Sequence, residues 1–105
     1  MKKEILIKNP VIENKIWETT KAKILELKIE NKKNFENISE LINELLTKYN
    51  RKEIKFENYL KEKEIKKPNK ITLTKETLKI YNRIPKGGRS YIISGLLRTW
   101  LKEQN

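Results

Sequence analysis

Apolar positions in the middle of the chain recur every three and four residues. Ile38, Leu41, Ile42, Leu45, Leu46 and Tyr49 fall on one face, which predicts a helix over residues 37–50. Asn37 is a suitable N-cap for it, with Glu40 three residues on as the capping-box partner. Nearer the N-terminus, Glu4-Ile5-Leu6-Ile7-Lys8 is a short β-prone run that Asn9-Pro10 terminates. From Val11 to about Lys23 the pattern is ambiguous: Ile12, Ile16 and Trp17 fit a helix face, whereas Thr19-Thr20 weakens it. Leu25, Leu27 and Ile29 alternate as in a strand, although the Leu and Glu content suits a helix as well, and both readings stand. Beyond residue 50, Ile54, Phe56, Tyr59, Leu60 and Ile65 form a weaker amphipathic stretch among dense Lys and Glu. Lys66-Lys67-Pro68-Asn69 then reads as a break, which divides the chain into an N-terminal extension, 1–68, and a C-terminal unit, 69–105.

The C-terminal unit reads as one strand followed by two helices. In Lys70–Thr74, Ile71 and Leu73 face one side while Lys70, Thr72 and Thr74 face the other. Thr74 is a good N-cap for a first helix with the stripe Leu78, Tyr81 and Ile84. Pro85 cannot continue that helix, and Gly87-Gly88 is expected to supply the positive φ angles of a tight turn. A second helix starts near Ser90, with Ile92, Ile93, Leu96, Leu97, Trp100 and Leu101 on its apolar face. Gly95 inside it should cost about 1 kcal/mol relative to Ala. A lone strand leaves two edges of unpaired backbone groups, so this one needs a partner, from a second copy if the chain has none of its own. A two-stranded ribbon backed by helices and surrounded by Lys and Arg has the size and charge to enter the major groove of DNA.

A faint internal echo bears on where the partner comes from. A shift of 51 positions aligns Leu27-Lys28-Ile29 and Asn31 with Leu78-Lys79-Ile80 and Asn82. It also aligns Ser39, Ile42, Leu45 and Leu46 with Ser90, Ile93, Leu96 and Leu97, and Tyr49 with Trp100. Either the N-terminal part is a degenerate second copy, or two amphipathic helices of biased composition coincide. The position matching the strand, Thr20-Lys21-Ala22-Lys23, is a poor strand and counts against duplication.

Composition narrows the function. The chain has 105 residues, 36% apolar and 37% charged, so one modest core is expected, with oligomerisation as the source of extra stability. Without Cys or His, disulfides, thiolate metal sites and the usual acid–base constellations are excluded, and no cofactor is expected. Glu is the only acidic side chain, no Gly-rich loop has the Walker spacing, and no nucleophile elbow is present, so the reading is not an enzyme. No apolar run reaches membrane-spanning length and no signal-peptide core stands at the N-terminus, which predicts a cytoplasmic protein without membrane contact. The net charge is +11, part of it shared with a general excess of Lys, Asn, Ile and Glu. Residues 69–105 hold eight Lys and Arg against two Glu, whereas the longer segment 1–68 holds seventeen against twelve. Positive charge concentrated in the shorter unit points to a polyanionic partner, nucleic acid first.

The order, lengths and turn of residues 69–103 resemble the ribbon-helix-helix family of DNA-binding proteins, of the Arc, MetJ and CopG type. The matching residues are the Lys70–Thr74 strand, its cap, the Leu78 and Tyr81 helix, the turn Ile84-Pro85-Lys86-Gly87-Gly88-Arg89-Ser90, and the spacing Ile92-Ile93, Leu96-Leu97, Trp100-Leu101. The resemblance covers about a third of the chain. It implies a mainly α fold with short β elements: a β-α-α unit preceded by an α/β extension. It also implies a homodimer whose paired strands enter the major groove. Lys70, Thr72 and Thr74 would then read base edges, Lys being suited to guanine and Thr to either kind of base edge or a thymine methyl. Lys66 and Lys67 would reach flanking phosphates. Lys86, Gly88, Arg89 and Ser90 would seat a phosphate at the start of the second helix.

Each role has a plainer counterpart. The Lys70, Thr72 and Thr74 face could be only the solvated side of a strand, and the Gly-Gly turn only a connector. Ile71, Leu73, Leu78, Tyr81, Ile84, Ile93, Leu97 and Trp100 are expected in the core; Trp100 lies on an apolar stripe, which favours burial over base stacking. The function these readings predict is a sequence-specific DNA-binding protein, a small transcriptional repressor. A plasmid partition or antitoxin component, with a protein partner on residues 1–66, is the second reading. The third is a basic inhibitor of a nucleic-acid-binding protein.

Overall fold

The computed structural model describes residues 6–32, 35–54 and 66–104. In chain order the elements are β1 (Ile7–Lys8), β2 (Val11–Glu13), α1 (Asn14–Ile29), α2 (Ile38–Asn50), β3 (Lys66–Pro68), β4 (Ile71–Thr72), α3 (Lys75–Arg83) and α4 (Arg89–Glu103). The protein is thus mainly helical with short antiparallel pairing. Of the β-prone run at residues 4–8, Glu4 and Ile5 lie outside the described residues, as do Phe56, Tyr59, Leu60 and Ile65 of the weaker amphipathic stretch.

Strand β4 finds its partner within the chain. Ile7 lies opposite Thr72 and Lys8 opposite Ile71. Further along, Val11, Ile12 and Glu13 lie opposite Pro68, Lys67 and Lys66. The two ladders share one register, because the Asn69 N–H donates to the Pro10 carbonyl (3.0 Å) and the Leu73 N–H to the Leu6 carbonyl (2.8 Å). They therefore form one twisted ribbon, interrupted where Pro10 lacks an N–H. This corrects two expectations. Lys66–Pro68 of the expected break is strand, and β4 does not need a second copy to pair with. Residues on both sides of position 68 share one ribbon and one core.

The helices close the ribbon's inner face. Ile12, Ile71 and Leu73 point into a core with Trp17, Leu41, Leu45, Leu46, Tyr81, Ile93, Leu96, Leu97 and Trp100. Every residue expected in the core from the C-terminal unit is buried. The residue 11–29 ambiguity resolves as helix from Asn14: Ile16, Trp17, Thr20, Ile24 and Leu27 are buried at helical spacing, while Leu25 and Ile29 are exposed. At α2 the Asn37 side chain accepts from the Glu40 N–H (2.9 Å), and Glu40 accepts from the Glu36 N–H, one residue earlier than a capping box requires. Thr74 caps α3 reciprocally with Thr77. Between α3 and α4 the chain makes a single 3₁₀ turn at Lys86–Gly88. Neither glycine has a positive φ there, contrary to the sequence expectation.

The two halves interlock. α2 packs on α3 and on β4, whereas α4 packs on α1 and on β2, and α2 meets α4 between them. Each half thus supplies the second helix that covers the other half's strand and first helix. The correspondence is quantitative: Asn14 and Lys75, which open α1 and α3, are 61 positions apart, and Ile38 and Arg89, which open α2 and α4, are 51 apart. The echo read at 51 positions holds for the second helices. It fails for Leu27-Lys28-Ile29, because α1 runs 16 residues against 9 for α3 and the offset changes between them.

Candidate nucleic-acid interface

Alternation along the ribbon sets which side chains face outward. With Ile12, Ile71 and Leu73 buried, Ile7, Asn9 and Val11 on one strand and Pro68, Lys70 and Thr72 on the other are exposed. The shared register places Ile7 against Thr72, Val11 against Pro68, and Asn9 against Lys70 at the centre. Ile7 and Val11 keep 43% and 41% of their surface in water, a large exposure for apolar side chains in a small core-poor chain. The ribbon strands carry Lys8, Lys66, Lys67 and Lys70 against one acid, Glu13, which is 4% exposed and lies 3.7 Å from the Arg98 guanidinium. Lys8, opposite Ile71 and 6.0 Å from the buried Tyr81 ring, lies off the outer face, which is mixed apolar–polar with Lys70 at its centre.

A side chain from a second helix reaches each ribbon edge. On the β4 edge the Thr72 N–H donates to Ser39 Oγ (3.0 Å) and Asn43 Nδ2 donates to the Thr72 carbonyl (2.9 Å). On the β2 edge the Val11 N–H donates to Ser90 Oγ (3.1 Å). Ser39 and Ser90, one in each second helix and both in the 51-residue echo, do the same work on opposite edges. These contacts block strand addition at Thr72 and Val11 and leave the outer face open to solvent.

The predicted base readers separate here. Lys70 and Thr72 lie on the outer face. Thr74 is held by the cap: its Oγ1 accepts from the Thr77 N–H (3.2 Å), and its own N–H donates to Asn43 Oδ1 (3.0 Å). Lys66 and Lys67 are exposed on β3, opposite Glu13 and Ile12.

The predicted phosphate seat is mostly engaged in holding the fold. The Gly88 N–H donates to the Pro85 carbonyl (2.8 Å) and Ser90 Oγ holds Val11. Arg89 Nε donates to the Tyr81 and Ile84 carbonyls, both at 3.1 Å, and Nη2 to Asn82 at 3.4 Å. Its guanidinium also stacks 4.6 Å from the Tyr81 ring centroid. Arg89 is thus a clip on the C-terminal carbonyls of α3. Burial pushes the Tyr81 phenol above its ordinary pKa, and the neighbouring Arg89 charge pulls it partly back. Lys86, exposed in the 3₁₀ turn, is the cation this turn presents to solvent most fully.

Sequence reasoning missed the other half of the face, Ile7, Asn9 and Val11. The signal was present as the alternation of Leu6, Pro10 and Ile12 with Ile7, Asn9 and Val11, but Asn9-Pro10 read as the end of the strand.

Among the described residues no group of acidic, Cys or His side chains could hold a metal, and no helix is long and apolar enough to cross a membrane. Compared with known protein families, with curated proteins and with solved structures, the chain matches none of them.

Proposed function

We propose that the protein binds double-stranded DNA sequence-specifically by laying the outer face of its ribbon in the major groove, and acts as a small transcriptional repressor. The observation that carries this reading is the exposed face of Ile7, Asn9, Val11, Pro68, Lys70 and Thr72 on a two-stranded ribbon whose inner face is packed on the helices and whose edges are held at Thr72 and Val11. A ribbon of this width fits the major groove, where Lys pairs with guanine, Asn with adenine, and Ile, Val or Thr methyls with the thymine methyl. Lys66, Lys67 and Lys86 would hold flanking phosphates. The interlocked strand-helix-helix halves support the likeness to the ribbon-helix-helix family, with both halves in one chain. The reading as a basic inhibitor predicts no tight binding to any duplex at physiological salt.

Lys70→Ala and Thr72→Ala are exposed and leave the core intact. Each should lose about 1–3 kcal/mol of binding to a preferred duplex while thermal unfolding stays unchanged. Lys67→Ala should weaken all duplexes alike and lower the salt dependence by about one ion. Unaltered sequence preference in both Lys70→Ala and Thr72→Ala would remove the ribbon from the interface.

A further inference from the structure

We infer that one chain is the complete reading unit and that it recognises a duplex site without dyad symmetry; this rests on the ribbon reading above. In a homodimeric ribbon the two strands are identical, so the exposed side chains repeat about a two-fold axis and favour palindromic DNA. Here the two halves stand in the same relation, but the chemistry differs at every step. The offset of 61 positions that relates α1 to α3 also relates Ile12 and Glu13 to Leu73 and Thr74, the buried residue and the cap that lead into each helix. Carried onto the outer face, it sets Ile7 against Pro68, Asn9 against Lys70, and Val11 against Thr72 as counterparts.

The central pair is the most telling. Asn9 offers both a donor and an acceptor, the pattern that matches adenine N7 and N6, whereas Lys70 offers donors only, the pattern that matches guanine N7 and O6. Val11 can contact only a thymine methyl, while Thr72 adds a hydroxyl. Successive outward residues are about 6.6 Å apart along a strand, close to two base-pair steps, so the face from residue 7 to 11 spans roughly four base pairs. Ser39 and Asn43 hold one edge at Thr72 and Ser90 holds the other at Val11, so a strand from another copy would have to displace them. The ribbon is already two-stranded within one chain, and its asymmetric face comes from that chain alone.

The test is selection of duplexes from a random pool by the full chain, followed by the mass of the complex on the selected duplex. The expected result is a consensus without inverted-repeat symmetry, bound by one chain per copy of the site. Asn9→Ala and Lys70→Ala should each relax a different base position, with roughly a five- to a hundredfold loss of affinity for the selected duplex. A palindromic consensus, or two chains on each copy of the site, overturns this inference and leaves DNA binding by the ribbon standing. Failure to enrich any sequence overturns the DNA reading itself, and the inference with it.

Discussion

Asn43 ties the two halves together with a single amide. Its Nδ2 donates to the Thr72 carbonyl at 2.9 Å and to the Ser39 carbonyl at 2.7 Å. Its Oδ1 accepts from the Thr74 N–H at 3.0 Å and from the Thr77 hydroxyl. One side chain of α2 thereby serves the strand β4 and the cap of α3. Asn43→Ala removes all of these at once and should destabilise the fold by about 1.5–3 kcal/mol in urea unfolding. A loss below about 0.5 kcal/mol would show that the cap and strand hold without it. Asn43 was invisible as a structural residue in the sequence, where a polar position between Ile42 and Glu44 looks like the solvated side of an amphipathic helix. Arg89 misled in the opposite way. A cation beside a Gly-Gly turn at a helix start suggests an anion site, but the preceding helix ends close enough for its carbonyls to claim the guanidinium.

At the scale of elements, periodicity located α2, α3 and α4 and the strand at β4, left α1 open between helix and strand, and took β3 for a break. The α2 and α4 stripes were legible because each carries four to six apolar residues at helical spacing, and α3 because Thr74 and Pro85 bracket it. Alternation declared β4 through Ile71 and Leu73, but β2 and β3 are only three residues long, and Pro10 and Pro68 both read as breakers. Proline is tolerated there because position 68 turns its nitrogen to the outer edge, and at position 10 the carbonyl still accepts from the Asn69 N–H. The serine contacts at the ribbon edges have a local signature. The amides of Thr72 and Val11 lie on opposite outer edges, yet both should show protection from hydrogen exchange. Ser39→Ala should remove protection at Thr72 and leave Val11 protected, and Ser90→Ala should do the reverse, each with a stability loss of about 1 kcal/mol. Equal loss at both amides in either variant would mean that the ribbon opens as one piece rather than being held edge by edge.

For the whole molecule, the decisive feature is that pairing between halves is intramolecular. The sequence made the need for a partner strand legible and left its source open, because the strand offset of 61 and the second-helix offset of 51 cannot be aligned by any single shift. The longer α1 hides the correspondence that the fold reveals. Stability should accordingly be independent of protein concentration. If two chains had to interlock, a hundredfold change in concentration would alter apparent stability by about 2.7 kcal/mol. For two interlocked chains unfolding together that is a shift in unfolding midpoint of roughly 5–10 °C. Calorimetry or circular dichroism at roughly 1 µM and 100 µM should instead give midpoints within about 1 °C of each other, because closure of the ribbon is governed by the effective concentration of one half near the other. A midpoint that climbs with concentration would place the strand's true partner in a second molecule, and would restore the two-fold face that the single-chain ribbon lacks.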